Sequence, residues 1–433
     1  MKNISYKKMQ DIPVIASVDV LVVGGGPGGL GAAVMAARQG AKTMLVERYG
    51  CMGGMAFHGE VNPFMYNHVA GLSLDRPVFV DWCKAMQKYL TPNESERIPY
   101  DHRYGMTLVS KEFAMLAMED LVLESGAKIL YHHTLSDVIM NGDSIRYAVF
   151  QSKSGLSAIE SKTFIDCTGD GDLAVLAGCK FEFGDDDGLC QPMTTCFKLG
   201  GIDIKNIPDR KTINQLYAEA KARGEIDCPR DNVLFFTAVD TDVLHFNTTR
   251  IIKKSGVNAQ DLSDAEIEGR RQVRQIIAFL RKDVPGFANA TIRSIACVVG
   301  IRESRRIIGQ VYQTKDDFIN RSKYPDGIAK CNYPVDIHGN NGTDTSIKID
   351  KNDWYEIRYG ALTAKDCCNL LIGCRALSVD HTLHSSIRIM PSMCSIGQAA
   401  GMGAALAVKN GMNPCDVDGC LVRAELKNNG AEL

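Results

Sequence analysis

The chain has 433 residues, 45% of them hydrophobic and 23% charged, a globular balance that can bury a sizeable core. That length exceeds what one core usually organises, so about two domains are expected. With 49 basic against 51 acidic residues and a net charge of -2, composition makes no electrostatic case for nucleic acid or an anionic membrane, and neither is expected as a partner.

In chain order, residues 1–10 carry lysines but no apolar leader core, and no later stretch of about 18 uninterrupted apolar residues follows. A soluble, cytoplasmic protein is expected. Fifteen cysteines run from Cys51 to Cys420 without the framing of a small secreted domain, so they are read as reduced thiols. No C-x-x-C pair supports zinc or an iron–sulfur cluster, and no metal is expected. Cys367, Cys368 and Cys374 read as small buried hydrophobes, and Cys51 as a packing residue.

Residues 19–47 carry the strongest pattern. A strand at 19–23 runs into the glycine turn 24–29, an alanine-rich helix ends at Gly40, and a second strand at 43–46 stops on Glu47. Gly24 permits a sharp turn off the strand, Gly26 removes a side chain where backbone meets a pyrophosphate, and Gly29 lets the helix lie close on the sheet. Gly28 belongs to the same turn. The helix start then faces the phosphates with unpaired N–H groups. Glu47 can accept both hydroxyls of an adenosine ribose, and its charge disfavours a 2′-phosphate, so FAD or NAD is preferred to NADP.

A second glycine-rich loop follows, with Arg48 and then Gly53, Gly54, Met55 and Ala56, and its lack of bulk lets backbone approach a flat ligand. A helix at 78–89, a polar loop at 91–103 and an amphipathic helix at 110–126 come next. Residues 128–139, 144–152 and 157–165 read as a three-stranded meander between the nucleotide unit and a returning strand. His132 and His133 would lie on opposite faces of its first strand. The returning strand ends at Asp166 to Thr168, Gly169 and Asp170, with a short helix at 173–177. Its aspartates lack the spacing of a calcium loop, and the strand tip suits a phosphate or ribitol chain.

Residues 181–359 differ in character, with a charged helix at 264–282 and an irregular loop at 339–344. They are assigned to a second, α+β domain that covers the ligand. The first domain is then discontinuous, 1–180 and 360–433. Within the second, Arg302 and Arg306 would share a helix face, held near the interior by the apolar run 295–299. Residues 369–373 read as a strand into a turn at Gly373. His381, His384 and Arg388 follow, and then a small-residue helix at 392–407 that contains Gly397 and Gln398. Its N-terminus could lie against a ligand.

Taken together, these motifs resemble the FAD-dependent oxidoreductases with a glutathione-reductase-type FAD domain, in the branch that looks like fumarate reductase and heterodisulfide reductase flavoproteins. The resemblance implies an α/β fold: a Rossmann-like FAD-binding domain with a three-stranded β-meander, plus an α+β substrate or cap domain. It implies that Gly24, Gly26, Gly29 and Glu47 hold the ADP half of FAD, with Leu135 meeting adenine through its backbone. It places Gly53, Gly54, Met55, Ala56 and Asp170 along the pyrophosphate and isoalloxazine, and Gly397 and Gln398 at the flavin's N1–C2 edge. The chain departs from the fumarate reductase pattern in its C-terminal arginine motif, and it carries neither a second G-x-G-x-x-G nor a redox C-x-x-C.

The expected chemistry is hydride movement between flavin N5 and a small polar organic substrate. His381 or His384 would act as acid/base. Arg388, with Arg302, would bind a carboxylate or other oxyanion. An electron-transfer subunit that passes electrons from FAD to a redox protein partner is the alternative, and a nucleotide-binding protein without chemistry is the third reading.

Overall fold

Runs such as Val20, Leu21, Val22 and Val23 are apolar at every position and form strands buried on both faces. The computed structural model describes residues 11–98, 100, 108–340 and 344–433. Residues 1–10, and parts of the loops expected at 91–103 and 339–344, lie outside these. β1 (Val14–Val23) leads into α1 (Pro27–Arg38) and then β2 (Thr43–Val46), which pairs parallel with β1, Val23 opposite Val46. Lys128–Leu130 extends the sheet parallel to β2, Gly155–Asp166 pairs parallel with β1 on its other side, and Leu370–Ile372 adds to Gly155–Asp166. The carboxyl ends of these strands share one edge, where an open parallel sheet presents a ligand crevice.

The meander is present as Thr134–Asn141, Ser144–Ser152 and Gly155–Asp166. Two expectations change here. The single strand expected at 128–139 is broken: the chain leaves the parallel sheet after Leu130, turns through His132 at φ 59°, and enters the meander at Thr134. His132 and His133 therefore sit at the break. The third meander strand and the returning strand are one continuous element, antiparallel to Ser144–Ser152 and parallel to β1 and Leu370–Ile372.

The expected polar loop at 91–103 contains a short helix, Pro92–Arg97. Thr91 accepts from the Glu94 N–H while the Glu94 carboxylate accepts from the Thr91 N–H, a reciprocal cap. The charged helix is longer than expected, Ala259–Asp283, because Asn258 caps its start. With Arg210–Ala222 it covers a four-stranded antiparallel sheet in the order Phe235–Thr237, Leu244–Phe246, Phe197–Gly200, Thr291–Ile295. Phe197 and Phe246 stack at the centre of this second core, ring centroids 4.9 Å apart. Ile307, Phe318, Ile328 and Tyr355 belong instead to the main core.

The helix expected through Arg302 and Arg306 does not form. Residues 301–304 take no regular secondary structure, and Arg305–Ile307 is a strand paired with Phe181–Phe183. Strand pairing and remote partners override the helical spacing: Arg306 Nε donates to the Val379 carbonyl at 3.1 Å and Nη2 to the Gly184 carbonyl at 2.9 Å, while Nη1 donates to the buried Glu303 carboxylate at 2.6 Å. Near the C-terminus, Asp380 caps the helix His381–Ile387, and Met390–Asn410 begins with Pro391 in its first turn. This last helix crosses α1 in backbone contact. A Cβ on Gly397 would lie 1.9 Å from the Gly28 carbonyl oxygen, so only glycine fits.

Candidate functional site

The site begins where β1 ends. Gly24 turns off the strand at φ +106°, where a Cβ would stand 2.3 Å from the Cys167 carbonyl oxygen. The first turn of α1 has no side-chain cap at Gly26, which leaves its N–H groups to a ligand. At the tip of β2, Glu47 is 6% exposed and its carboxylate is fixed by two backbone donors, Gly25 N–H to Oε2 at 2.6 Å and Tyr49 N–H to Oε1 at 2.9 Å. Carboxylate oxygens keep further lone pairs for hydroxyl donors.

A cavity of ≈ 320 Å³ runs from this turn along the carboxyl edge of the sheet. Gly24, Gly26, Gly28, Glu47 and Arg48 line one end, and Gly54, Met55 and Leu135 continue it. Thr168, Gly169 and Asp170 form its floor, and Arg375, Arg388 and Met390 close the far end. The residues fit an adenine dinucleotide: an uncapped helix start, a fixed ribose-side carboxylate, and a glycine-lined approach.

Behind that floor, Asp166 is buried and accepts from the Thr168 N–H and hydroxyl and from the Ala174 N–H, and burial raises its carboxyl to about 6. Asp170 Oδ1 accepts from Arg375 Nη2 at 2.7 Å and from the Ser304 hydroxyl at 2.6 Å. Arg305 Nη1 donates to the Asp170 carbonyl and to Asp172 Oδ1. The floor is thus rigid and charge-balanced.

Other expected cofactor residues lie beside the cavity and support it. Gly29 and Gly373 sit under the glycine turn, where a Cβ would meet the Gly24 carbonyl or the Cys167 thiol. Gly53 and Ala56 shape the second loop, Gly53 at φ +134°. Gly397 is taken up by the contact with α1. Gln398 bridges main chain, accepting from the Val78 N–H and donating to the Arg76 carbonyl.

A second cavity of ≈ 160 Å³ adjoins the first and shares Met55, Ile301, Arg375, Arg388 and Met390 with it. Its own polar wall is Arg302, Asn247, Tyr333, Asp336 and His338. Arg302 donates to the Pro192 carbonyl at 2.5 Å and weakly to Asn247 Oδ1, and among the described residues no carboxylate pairs with it. Burial, then the nearby Arg388 and Arg230, push its guanidinium down to about 9. Arg388 Nη2 donates to the Asp336 carbonyl at 2.9 Å and lies 3.8 Å from the Asp336 carboxylate, while its buried Nε has no hydrogen-bond partner.

His381 and His384 line neither cavity. His381 Nδ1 is 2.8 Å from Glu303 Oε1. His384 is fully buried with both ring nitrogens unpartnered, and burial, then Arg306, hold it well below the ordinary histidine range. Sequence reasoning missed His58, which lines the first cavity with its ring 4.1 Å from that of Tyr49, and His338 in the second. The alternating Asp336 and His338 was the available signal. Burial raises the Cys51 thiol, in keeping with a packing role.

A family model described as FAD dependent oxidoreductase matches residues 19–427. Among curated proteins, the thiamine thiazole synthase of Methanococcus maripaludis is 29% identical over 166 residues, 36% of this chain and 57% of that protein. Its counterpart in Methanococcus vannielii is 30% identical over 164 residues, with the same shares. The chain thus spans 57% of the length of these curated relatives. Among solved structures, a geranylgeranyl bacteriochlorophyll reductase-like protein from Thermoplasma acidophilum aligns with a TM-score of 0.45 at 13% identity, covering 96% of this chain and 84% of that one. The flavin-dependent brominase Bmp2 aligns with a TM-score of 0.49 at 12% identity, with the same coverage.

Proposed function

The chain belongs to the FAD-dependent oxidoreductase family, and from that premise we propose that it oxidises or reduces a small anionic organic molecule seated in the smaller cavity. The observation that carries this reading is the wall shared by the two cavities: Arg388 stands on it, and Arg302 adds a second guanidinium, against the single carboxylate of Asp336. Two buried cations facing one acid leave room for an anion to complete the balance.

FAD, when bound, supplies the two-electron acceptor or donor. Gly24, Gly26, Gly28 and Glu47 would hold its ADP half, with Leu135, Thr168, Gly169, Asp170 and Met55 along the remainder. Arg302 and Arg388 bind and orient the substrate anion. Met55, Ile301 and Met390 exclude water from the shared wall, which strengthens both charge contacts. Arg375 is already neutralised by Asp170, so it shapes the wall rather than adding charge.

The test is anaerobic reduction of the FAD-loaded protein by a panel of small carboxylates and their neutral amides, followed by loss of the flavin's visible absorption. Carboxylates are expected to react and amides to fail. Arg388→Met is expected to lower kcat/KM about a hundredfold or more, since it removes one partner of a buried charge contact. An Arg388→Lys protein with full turnover would remove the guanidinium's role. Equal reaction with the amides would defeat the anion reading, and electron exchange only with a protein acceptor would favour a redox partner.

A further inference from the structure

Neither His381 nor His384 lines either of the two cavities, so the proton that accompanies a two-electron oxidation there needs another acceptor. Residues 335–338 supply it by strand alternation. Asp336 and His338 fall on one face of Val335–His338, and both line the smaller cavity with Arg302 and Arg388. The His338 side chain is 14% exposed. Its Nε2 lies 3.5 Å from Asp336 Oδ2 and its Nδ1 3.4 Å from Asp344 Oδ2, on the neighbouring strand Asp344–Ile347. Its main-chain N–H points to Gln191 Oε1. Nδ1 is enclosed against Asp344 without a hydrogen-bond partner, whereas Nε2 is not enclosed, so Nε2 is the nitrogen left to exchange a proton with the cavity.

We propose that His338 exchanges the substrate proton, and that the substrate is a small carboxylate bearing a hydroxyl or amino group on the carbon that is oxidised. This rests on the reading of the smaller cavity as the substrate site. In the oxidising direction the substrate's C–H and its neighbouring O–H or N–H bonds break and a C=O or C=N bond forms. Bound FAD would supply the two-electron acceptor for the hydride, and the proton goes to Nε2 of the neutral imidazole. The reverse direction returns both. Asp336 and Asp344 are positioning residues that aim the ring and stabilise the imidazolium once formed.

The charges around His338 support a neutral resting ring. Asp336 comes from its own strand and Asp344 from the paired one, where Arg250 already bonds Asp344 at 2.9 Å. Arg302 comes from the irregular segment before Arg305–Ile307, Arg388 from the junction before Met390–Asn410, and Tyr333 from the loop before Val335–His338. Burial, then Arg302, lower the imidazole below its ordinary value, against the opposing pull of Asp336. An anion bound on Arg302 and Arg388 removes part of that depression. Substrate binding therefore makes His338 a stronger base.

The experiment uses FAD-loaded protein labelled with ¹³C at histidine Cε1, with the His338 resonance identified by its loss in His338→Gln. Alone, the resonance is expected to titrate below the ordinary histidine range, and saturating glycolate is expected to raise its midpoint by about one pH unit. Independently, His338→Gln is expected to lower kcat more than tenfold with KM little changed, and to remove the acid limb of the pH profile. If calorimetry shows that glycolate binds while the His338 midpoint stays fixed, the inference is overturned and the cavity reading survives. If no carboxylate binds the wild-type protein, both fall together. The titration is made on wild-type protein, so it stands even where the variant folds poorly.

Discussion

The two cavities are built by different means. The larger one takes its nucleotide end from one short stretch of chain, at residues 24–28 and 46–49, where main-chain groups stand at strand ends and a helix start. The smaller one gathers side chains from many separated stretches, among them those around Met55, Asn247, Arg302, Asp336 and Arg388. A site made of backbone is written in spacing, because glycine and strand length set where N–H groups point. A site made of side chains depends on which remote segments the core brings together.

Three changes would break or sharpen that contrast. A large effect is expected from Gly397→Ala, whose new methyl must displace α1, at a cost of about 3 kcal/mol or more in urea unfolding. Since Gly397 supports the cradle from behind, FAD affinity should fall along with stability. A stable variant with weakened FAD binding would instead place Gly397 at the ligand. Next, Glu47→Gln keeps an acceptor for one amide but loses the charge, and FAD affinity should drop about tenfold by fluorescence titration, as for the loss of a charge-assisted hydrogen bond. Carboxylate binding at the smaller cavity should be unaffected in that variant, which separates the two sites.

The third change concerns Asp75, fully buried against the helix Met390–Asn410, where it accepts from Asn67 Nδ2 and the Ser395 hydroxyl. Burial raises its carboxyl to about 7. A raised folded-state value means that the folded protein holds a proton the unfolded chain has released. That contribution is complete below about pH 4 and is lost as pH rises through about 7, at about 1.4 kcal/mol per pH unit. Asp166, raised to about 6, acts in the same direction. Asp75→Asn should therefore show a shallower decline of unfolding free energy between pH 4 and 7 than the wild type. Identical slopes in urea titrations would rule out a protonated Asp75.

What the sequence determined by itself was the local part of this protein: β1, α1, β2, the meander, Glu47 at a strand tip, and a glycine turn facing an uncapped helix start. Each of these follows from neighbours in the chain, through periodicity, φ freedom and strand ends. Tertiary structure decided the rest. It kept the helical spacing of Arg302 and Arg306 from forming a helix, because Arg306 pairs into a strand and is held in the interior by the distant carbonyls of Gly184 and Val379. It set Gly397 against Gly28 as a helix crossing, and it sealed His384 inside the core while bringing His338 to a cavity wall. A side chain's burial and its partners depend on segments hundreds of residues apart, and local spacing carries no record of them.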